Sequence, residues 1–356
     1  MSWFDDMVSS SWEFIVSIVL TVFHILNIPD WLLDPVLILV KVIILLLLFS
    51  LDLLMIVWYE RKLIGRFHNR RSVTETGKFG LLQNIADFVK LMIKEDIIPK
   101  KADKFLHNLV PALFMFLAMV PLVVIPFGPN LWAANIETSL IFVVAMLSMT
   151  PGLILLGGWA GNNKFSIIGA FRSGLQMVAY ELPMAIAAMS VVLLTNSLNL
   201  VTISAAQQRI WFIALQPIGF LIFLVTSVMA LERMPFDLPE AEAEIIAGWK
   251  TEFGSLKFGL FMGAEYVHVF VVLSLTTILF LGGWYGPPII GPLLPPVVWF
   301  LIKVHLLFIL YVWVRLSYPR PRLDQLLRIG WKWLFPLALL NLIVTALLYP
   351  YLVTLI

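Results

Sequence analysis

Six carboxylates lie within the stretch ERMPFDLPEAEAEIIAGWKTEFG, namely Glu232, Asp237, Glu240, Glu242, Glu244 and Glu252. Only two bases, Arg233 and Lys250, offset them, so the stretch is strongly acidic. Clustered carboxylates bind divalent cations, or they hold and pass protons where a nonpolar setting raises their pKa towards neutrality. The D-x-D-x-D-G pattern of a calcium loop is absent, and Pro235 and Pro239 interrupt the spacing. Proton chemistry is therefore the predicted use of these acids.

Three further acids and a histidine lie inside long apolar runs. Glu181 stands in MVAYELPMAIAAM, and Glu265 stands in FMGAEYVHVF, with His268 three residues later on the same helical face. Asp52 lies in the first apolar run. Ionisable side chains within a membrane are costly and are functional candidates by default. For each one taken alone, the alternative is a structural hydrogen bond between helices.

The composition indicates which elements position these side chains. With a mean hydropathy of +0.96 and 61% hydrophobic residues, the chain is far more apolar than a soluble domain. Several apolar runs reach the roughly 20 residues that cross hydrocarbon as a helix, and the strict alternation of a membrane barrel is absent. We predict a single all-α integral membrane domain over residues 1–356, with eight transmembrane helices at 36–58, 106–127, 138–160, 173–195, 210–231, 259–283, 297–318 and 331–354.

The positions of Lys and Arg predict the orientation, because these residues resist translocation. The connections 59–106, 161–172, 232–258 and 315–332 hold 21 of the 24 basic residues and should face the cytoplasm. The acidic stretch therefore lies on the cytoplasmic side, against the usual charge bias.

Two further helices are predicted outside this eight-helix bundle of residues 36–354. Residues 7–28 are apolar but contain Glu13 and His24, which favours an interfacial helix over a ninth span. In the connection 59–106, apolar residues recur with the spacing of an amphipathic helix, at Leu81, Leu82, Ile85, Phe88, Val89 and Met92. This helix either anchors the chain to acidic lipid headgroups or borders a protein-lined opening at their level.

The sequence also excludes several classes of function. The chain has no cysteine, so it holds neither a disulfide nor a thiolate-bound iron–sulfur cluster. Its five histidines show no metal-type pairing, so no metal site is predicted, and there is no phosphate-binding or dinucleotide-binding glycine motif. A formal charge of +2 is too small to indicate nucleic acid. Any redox centre must therefore belong to a partner.

The acidic stretch closely resembles the hallmark loop of the H-subunit family of respiratory complex I, the equivalent of mitochondrial subunit 1. Further stretches match that family in the same order: YERKLIGRF, GLLQNIADFVKLMIKED, NNKFSIIGAFRS, AYELP, AEYVH, FLGGW and RLDQLLRIGWKWLFPLAL. The resemblance runs from about residue 36 to the C-terminus. It implies a non-redox membrane subunit of a proton-translocating quinone oxidoreductase, a translocase of the cell or thylakoid membrane.

The resemblance also implies roles for individual residues. The quinone chamber would involve Glu60, Arg61, Arg66, Leu81, Gln83 and Asp87. The acidic coupling loop would comprise Glu232, Asp237, Glu240, Glu242 and Glu244. The proton path would involve Glu181, Glu265 and His268, with Asp52 as a further candidate.

The implied partners are other membrane subunits and soluble iron–sulfur subunits on the cytoplasmic face. This chain itself would bind no cofactor, since the flavin and the iron–sulfur clusters lie in partner subunits. Its substrate would be a quinone or a quinone-like carrier such as menaquinone, plastoquinone or methanophenazine. The electron donor would be NADH, a deazaflavin or ferredoxin.

Two departures from the family pattern stand out. Where the family usually has Gly-Pro-Asn-Arg, this chain has Ser72 to Glu75, which changes the loop next to the headgroup site. Many members have a glutamate in the third span, whereas AMLSMTPGLILLGGW has Ser148 near that place. A variant of the archaeal or cyanobacterial type would fit the altered loop.

Two other functions are weighed against this one. A stand-alone ion or solute carrier is disfavoured by the absence of an internal repeat. The equivalent subunit of a membrane-bound hydrogenase-type complex would bind no quinone. Within the complex I interpretation, the acids respond to the two protons that quinone reduction takes up, through coupled pKa values. The alternative role of the acids is to dock basic faces of soluble subunits.

Overall fold

The computed structural model describes residues 33–129, 131–287, 294–352 and 354, so the predicted helix at 7–28 lies outside the described residues. Apart from an isolated bridge between Gly128 and Leu131, the regular structure of the described residues is helical. The α-helices are α1 (Leu33–Phe67), α2 (Gln83–Ile93), α3 (Lys104–Met119), α4 (Ser139–Ala160), α5 (Lys164–Thr195), α6 (Leu200–Ala205), α7 (Phe212–Leu215), α8 (Pro217–Ala230), α9 (Glu242–Ile245), α10 (Ser255–Phe280), α11 (Pro296–Ser317), α12 (Leu323–Arg328) and α13 (Phe335–Leu352). Tighter turns occupy Lys78–Gly80, Val120–Val123 and Gly248–Lys250, and a π-helical turn at Ile329–Leu334 joins α12 to α13.

Six helical segments of the described chain are long and apolar enough to cross a membrane: Lys104–Val123, Ser139–Ala160, Lys164–Thr195, Ser255–Phe280, Pro296–Ser317 and Leu323–Leu352. Helix α1 is longer still, at 35 residues. Helix α8 is apolar but has only 14 residues, short of the roughly 20 that span hydrocarbon. The predicted all-α membrane fold is confirmed, while the count of eight spans stays a prediction.

Helix α5 starts earlier than the sequence predicted. The prediction placed a connection at 161–172 and a span at 173–195, but the helix begins at Lys164. Asn163 caps this start, because its side-chain oxygen accepts a hydrogen bond from the Phe165 N–H at 3.0 Å. The helix therefore extends beyond the predicted span, and its added turns carry Arg172 towards the acidic stretch.

The predicted span at 210–231 is divided in the structure. Gln216 leaves the helical conformation, with φ −133° and ψ 61°, and separates α7 from α8. Pro217 then takes the first position of α8, where a residue without an N–H starts a helix most easily. Helix α8 therefore ends at the acidic stretch but crosses less of the bundle than predicted.

The core of the bundle is built around α5 and α10. Helix α5 packs against α4, α8 and α13, whereas α10 packs against α3 and α11. Phe261, Phe270 and Phe280 along α10 are almost completely enclosed. Helices α1, α8 and α11 end, and α5 and α10 begin, at the side that holds most of the Lys and Arg residues, which we call the basic end.

Candidate functional site

The acidic loop, residues 232–254, joins α8 to α10 and lies directly against the start of α5. Gly169 of α5 faces this loop, and a Cβ added there would lie 2.8 Å from both the Pro239 carbonyl oxygen and the Trp249 nitrogen. Gly248 adopts φ +56°, and a Cβ on it would overlap the Pro239 carbonyl. Only glycine tolerates such positions readily. The loop backbone is therefore in direct contact with the helix, which fixes the places of its acids.

Glu60, near the end of α1, is only 1% exposed and meets two arginines from distant parts of the chain. Arg233 of the acidic loop lies 3.4 Å from Glu60 Oε1, and Arg315 of α11 donates to the same oxygen. Arg233 also lies 3.3 Å from Glu265 Oε2 in α10. Arg233 thus joins carboxylates of two different helices.

Lys250, like Arg233, joins two carboxylates. It is 3% exposed and donates to both Glu240 of the loop and Glu265 of α10. Burial lowers the pKa of Lys250, although the neighbouring charge of Glu240 acts against this shift. The resulting charge cluster holds three carboxylates and three cations, namely Glu60, Glu240, Glu265, Arg233, Lys250 and Arg315.

Glu232 begins the acidic loop and borders this cluster. Ser173 of α5 donates a hydrogen bond to its carboxyl group. Burial raises the pKa of Glu232 to about 8, although the hydrogen bond from Ser173 acts in the opposite direction. Glu232 therefore carries a proton at neutral pH, unlike an ordinary surface glutamate.

The other loop acids have different surroundings. Burial raises the pKa of Asp237 to about 6, with the charge of Glu240 acting in the same direction, and Arg320 lies 3.4 Å from its carboxylate. Glu244 is exposed and pairs with Arg172 of α5 at 2.5 Å. The side chain of Glu242 lies outside the described part of the chain. Glu232 and Asp237 therefore both titrate near neutrality, and Glu244 faces outwards.

A cavity of about 20 Å³ lies beneath the acidic loop, enough for one water molecule. Glu232 and Glu240 of the loop line it together with Glu265 and His268 of α10 and Thr150 of α4. The Thr150 hydroxyl lies 3.4 Å from His268 Nε2. The prediction that Glu265 and His268 share one face of a helix is confirmed. The cavity places the loop acids and the membrane-embedded groups around one common space.

A second polar group lies where α1 meets α2. Arg61 donates to Asp87 at 2.6 Å, Gln83 donates to the other oxygen of Asp87 at 2.8 Å, and Thr76 donates to Gln83 at 2.5 Å. Burial alone would raise the pKa of Asp87, but the hydrogen bonds from Arg61 and Gln83 hold it below its usual range. This group joins three of the predicted chamber residues, and we call it the mouth group.

The amphipathic helix predicted near Leu81 is confirmed as α2. Asn84 ties it to α1 by donating to the Leu54 carbonyl at 2.8 Å. Leu81 and Arg66 are exposed beside it. The outward face of α2 is apolar, with exposed Ile85, Phe88, Val89, Met92 and Ile93. The helix therefore offers an unpaired apolar strip next to a polar group.

Two predicted proton-path residues lie apart from the charge cluster. Glu181 of α5 is partly exposed, and among the described residues it has neither a hydrogen bond nor an ion pair. Asp52 of α1 faces His305 of α11, with 3.5 Å between Oδ1 and Nε2. The structure therefore gathers Glu265 and His268 at the loop but not Glu181 or Asp52.

Two pairings differ from those that neighbouring positions in the sequence suggest. Arg61 and Lys62 directly follow Glu60, but Arg61 bonds to Asp87 and Lys62 bonds to a backbone carbonyl, because Glu60 points inwards to other cations. Lys250 lies two residues from Glu252, but its ammonium group contacts Glu240 and Glu265. Asn163 donates to Glu252 instead, at 2.6 Å.

Ser148, expected near the place of the missing third-span glutamate, does not take part in the site. Its hydroxyl donates to the Val144 carbonyl of its own helix at 3.0 Å. Thr150, two residues later on α4, lines the cavity instead. Thr150, Ser173 and Arg315 were all missed, because a hydroxyl or an arginine at a helix end has no distinctive sequence pattern. Only the excess of acids over bases in the loop signalled that cations from elsewhere were needed.

The fold and the site define a multi-pass membrane protein that holds titratable acids against a buried charge cluster. The NADH dehydrogenase family model matches residues 40–346. The H subunit of the NADH-quinone oxidoreductase of Anoxybacillus flavithermus is 45% identical over 289 residues, which cover 81% of this chain and 86% of that protein. The same protein of Dehalococcoides mccartyi is 45% identical over 295 residues, covering 83% and 82%. This chain belongs to the H-subunit family of NADH-quinone oxidoreductases, as its motifs predicted.

Proposed function

We propose that this chain is the membrane subunit of a proton-translocating NADH-quinone oxidoreductase that receives the quinone and starts the proton path. The observation that carries the proposal is the charge cluster beneath the acidic loop, which opens onto a cavity shared with groups inside α10. The names of the relatives support this function over a hydrogenase-type complex or a solitary carrier.

The mouth group and α2 suit a quinoid substrate. A quinone has a long apolar tail and a polar headgroup, and α2 offers an exposed apolar strip beside Arg61, Gln83 and Asp87. Arg66, at the end of α1, is free to reach a headgroup, where a guanidinium stabilises developing negative charge through charge-assisted hydrogen bonds. The headgroup would then lie above Glu60 and the charge cluster.

The acidic loop would convert quinone chemistry into proton movement. Two-electron reduction of a quinone consumes two protons, and Glu232 is protonated at neutral pH because its pKa lies near 8. Loss of a proton from Glu232 would place a new negative charge beside Glu240 and Lys250. Because closely spaced acids and bases titrate as a coupled set, that change alters the pairing throughout the cluster.

The proton path would leave the loop through the cavity. A water molecule there would lie among Glu232, Glu240 and Glu265, with His268 and Thr150 on the inner side. Bridging waters transmit hydrogen bonds between groups that do not touch. Glu181 and Asp52 would serve later or separate steps, since neither reaches this space.

The partners proposed here are other membrane subunits and soluble subunits that carry the flavin and the iron–sulfur clusters. Exposed Glu244, with its half-buried partner Arg172, lies where a soluble subunit would meet the acidic loop. The quinoid carrier itself, whether menaquinone, plastoquinone or methanophenazine, enters only as substrate. The membrane would be that of the cell or of a thylakoid.

The test is a double substitution, Glu240→Gln with Glu242→Gln, in the assembled complex. We expect assembly to persist, because Gln keeps the shape of each side chain, while quinone reduction slows or pumping per electron falls. Glu252→Gln is the matched control, since Glu252 bonds to Asn163 and does not line the cavity. Wild-type reduction and pumping in the assembled double variant would overturn the coupling role, and loss of assembly alone would assign the loop to docking.

A further inference from the structure

We propose that Asp52 and His305 hold one exchangeable proton between them, as a second proton site that is separate from the acidic loop. Asp52 lies in α1 and His305 in α11, with 3.5 Å between Asp52 Oδ1 and His305 Nε2. The inference goes beyond the proposed function, because nothing in the charge cluster or its cavity involves His305.

The second nitrogen of His305 determines how many protons the pair holds. His305 Nδ1 lies 2.8 Å from the Leu301 carbonyl oxygen, which can only accept a hydrogen bond. Nδ1 therefore carries a hydrogen, and in the neutral ring Nε2 presents a lone pair to Asp52. A bare carboxylate would repel that lone pair, so the contact requires one proton, held either by Asp52 or by Nε2.

The surroundings favour the form in which neither group is charged. Asp52 is 18% exposed and His305 is 31% exposed, and both lie within long apolar helices. Separated charges in such a setting pay a large desolvation cost. Asp52 Oδ2 is buried and has no hydrogen-bond partner among the described residues, as a neutral carboxyl group tolerates better than a carboxylate. The proton therefore rests on Asp52. It moves to His305 Nε2 when the surroundings favour a negatively charged Asp52.

Other titratable groups on the neighbouring helices are engaged elsewhere. Lys303, two residues from His305, donates to three backbone carbonyls of the 281–285 turn. On α10, which packs against both helices, His268 contacts Thr150 and Glu265 belongs to the charge cluster. Lys41 precedes Asp52 by three helical turns, about 16 Å, and its side chain lies outside the described part of the chain.

Two polar contacts thus join α1 to α11. Glu60 and Arg315 form the one at the basic end, and Asp52 and His305 form the other, about 12 Å further along α1 by the helical rise. Tyr311 lies between them on α11, and its buried hydroxyl has no hydrogen-bond partner among the described residues. The Tyr311 hydroxyl could therefore accept or donate a hydrogen bond between the Glu60–Arg315 contact and the Asp52–His305 contact.

Infrared difference spectroscopy of the assembled complex, between acidic and alkaline pH, tests the proposal. We expect a carboxyl C=O band that disappears in Asp52→Asn, and that changes both position and pH midpoint in His305→Gln. Asp324→Asn removes an exposed carboxyl group at the start of α12 and is the control that should leave this band intact.

A band unchanged in both variants would overturn the proposal, as would a His305→Gln spectrum identical to that of the wild type. If Asp52→Asn fails to assemble, Asp52→Glu keeps an acid, and its band should still respond to His305→Gln. This readout does not depend on quinone reduction, so its failure is distinguishable from failure of the proposed function.

Discussion

The two ends of the bundle bury polar groups in opposite ways. At the basic end, Arg233 and Lys250 each meet two carboxylates, and Glu60 meets two arginines. At the opposite end, neutral partners prevail. Lys303 donates to the carbonyls of Leu281, Gly283 and Tyr285 and lies over the Trp211 ring at 4.2 Å.

Amides and hydroxyls complete the opposite end. Gln216 donates to the Ser190 carbonyl at 3.0 Å and to Thr345 at 3.1 Å, and Asn341 donates to the Ser190 hydroxyl at 3.2 Å. Each of these donors has fixed neutral acceptors, so the network has one arrangement. The charge cluster instead shares its cations among competing acids, and a single proton can change the preferred pairing. One end is therefore built to stay fixed and the other to rearrange.

The largest effect should follow from Arg233→Gln, which removes the shared cation. The buried cluster is left with one excess negative charge, and breaking a buried ion pair in this way costs about 3–5 kcal/mol. We expect little assembled complex and a lower melting temperature in what remains. Adding Glu265→Gln should recover much of the lost assembly, because it brings the net charge of the buried cluster back to zero. Arg320→Gln, whose Asp237 contact is partly exposed, is the control with a small expected effect.

The next effect concerns function in the complexes that assemble. Glu265→Gln removes the acid that contacts both bridging cations and lines the cavity, whereas Glu252→Gln changes a loop acid bonded to Asn163. A positioned proton donor contributes roughly a hundredfold or more to a transfer rate, so we expect Glu265→Gln to lower coupled turnover by at least about tenfold. Proton pumping per electron in vesicles, with quinone reduction in parallel, measures this. Equal pumping in the two variants would make Glu265 a structural group.

The opposite end should respond differently to substitution. Lys303→Met leaves three backbone carbonyls without their donor, a loss of about 1–3 kcal/mol for buried polar groups. We expect a lower melting temperature of the complex but normal pumping per electron in the molecules that assemble. Reduced pumping per electron at full assembly would contradict the contrast between a fixed end and a rearranging end.

The last effect is a change in the pH dependence of stability. The unfolded Glu232 carboxyl ionises near pH 4.5, whereas the folded one keeps its proton up to about pH 8. The folded state binds more protons between these values, so this contribution to stability falls as pH rises from about 4.5 to 8 and then levels off. Glu232→Gln cannot ionise and should flatten that part of the curve of melting temperature against pH. A curve for Glu232→Gln that matches the wild-type curve would contradict the raised pKa of Glu232.

The sequence predicted the membrane class, the amphipathic helix, the family and the shared face of Glu265 and His268. These follow from apolar run lengths, helical periodicity and long local motifs, all of which are local properties of the chain. The limits of α5 and α8 were missed because Asn163 and Gln216 act through single hydrogen bonds and backbone angles rather than through hydrophobicity.

The partners of the acids could not be predicted. Glu60 and Arg315 lie 255 residues apart in the chain, and no local pattern connects them. Lys250 lies two residues from Glu252 but pairs with Glu240 and Glu265, because closeness in sequence does not fix the direction of a side chain in a loop. Which cation meets which acid depends on how the loop is seated against α5, and that is a property of packing.

The distance in sequence between Glu60 and its arginines has a consequence during synthesis of the chain. Arg233 follows Glu60 by 173 residues and Arg315 by 255. At a translation rate of roughly 5–20 residues per second, Glu60 waits on the order of ten to fifty seconds for both. Throughout that interval the nascent chain holds an acid that has neither or only one of its two native arginines. A ribosome that stalls before residue 315 therefore leaves a chain in which α1 is made but Glu60 still lacks Arg315.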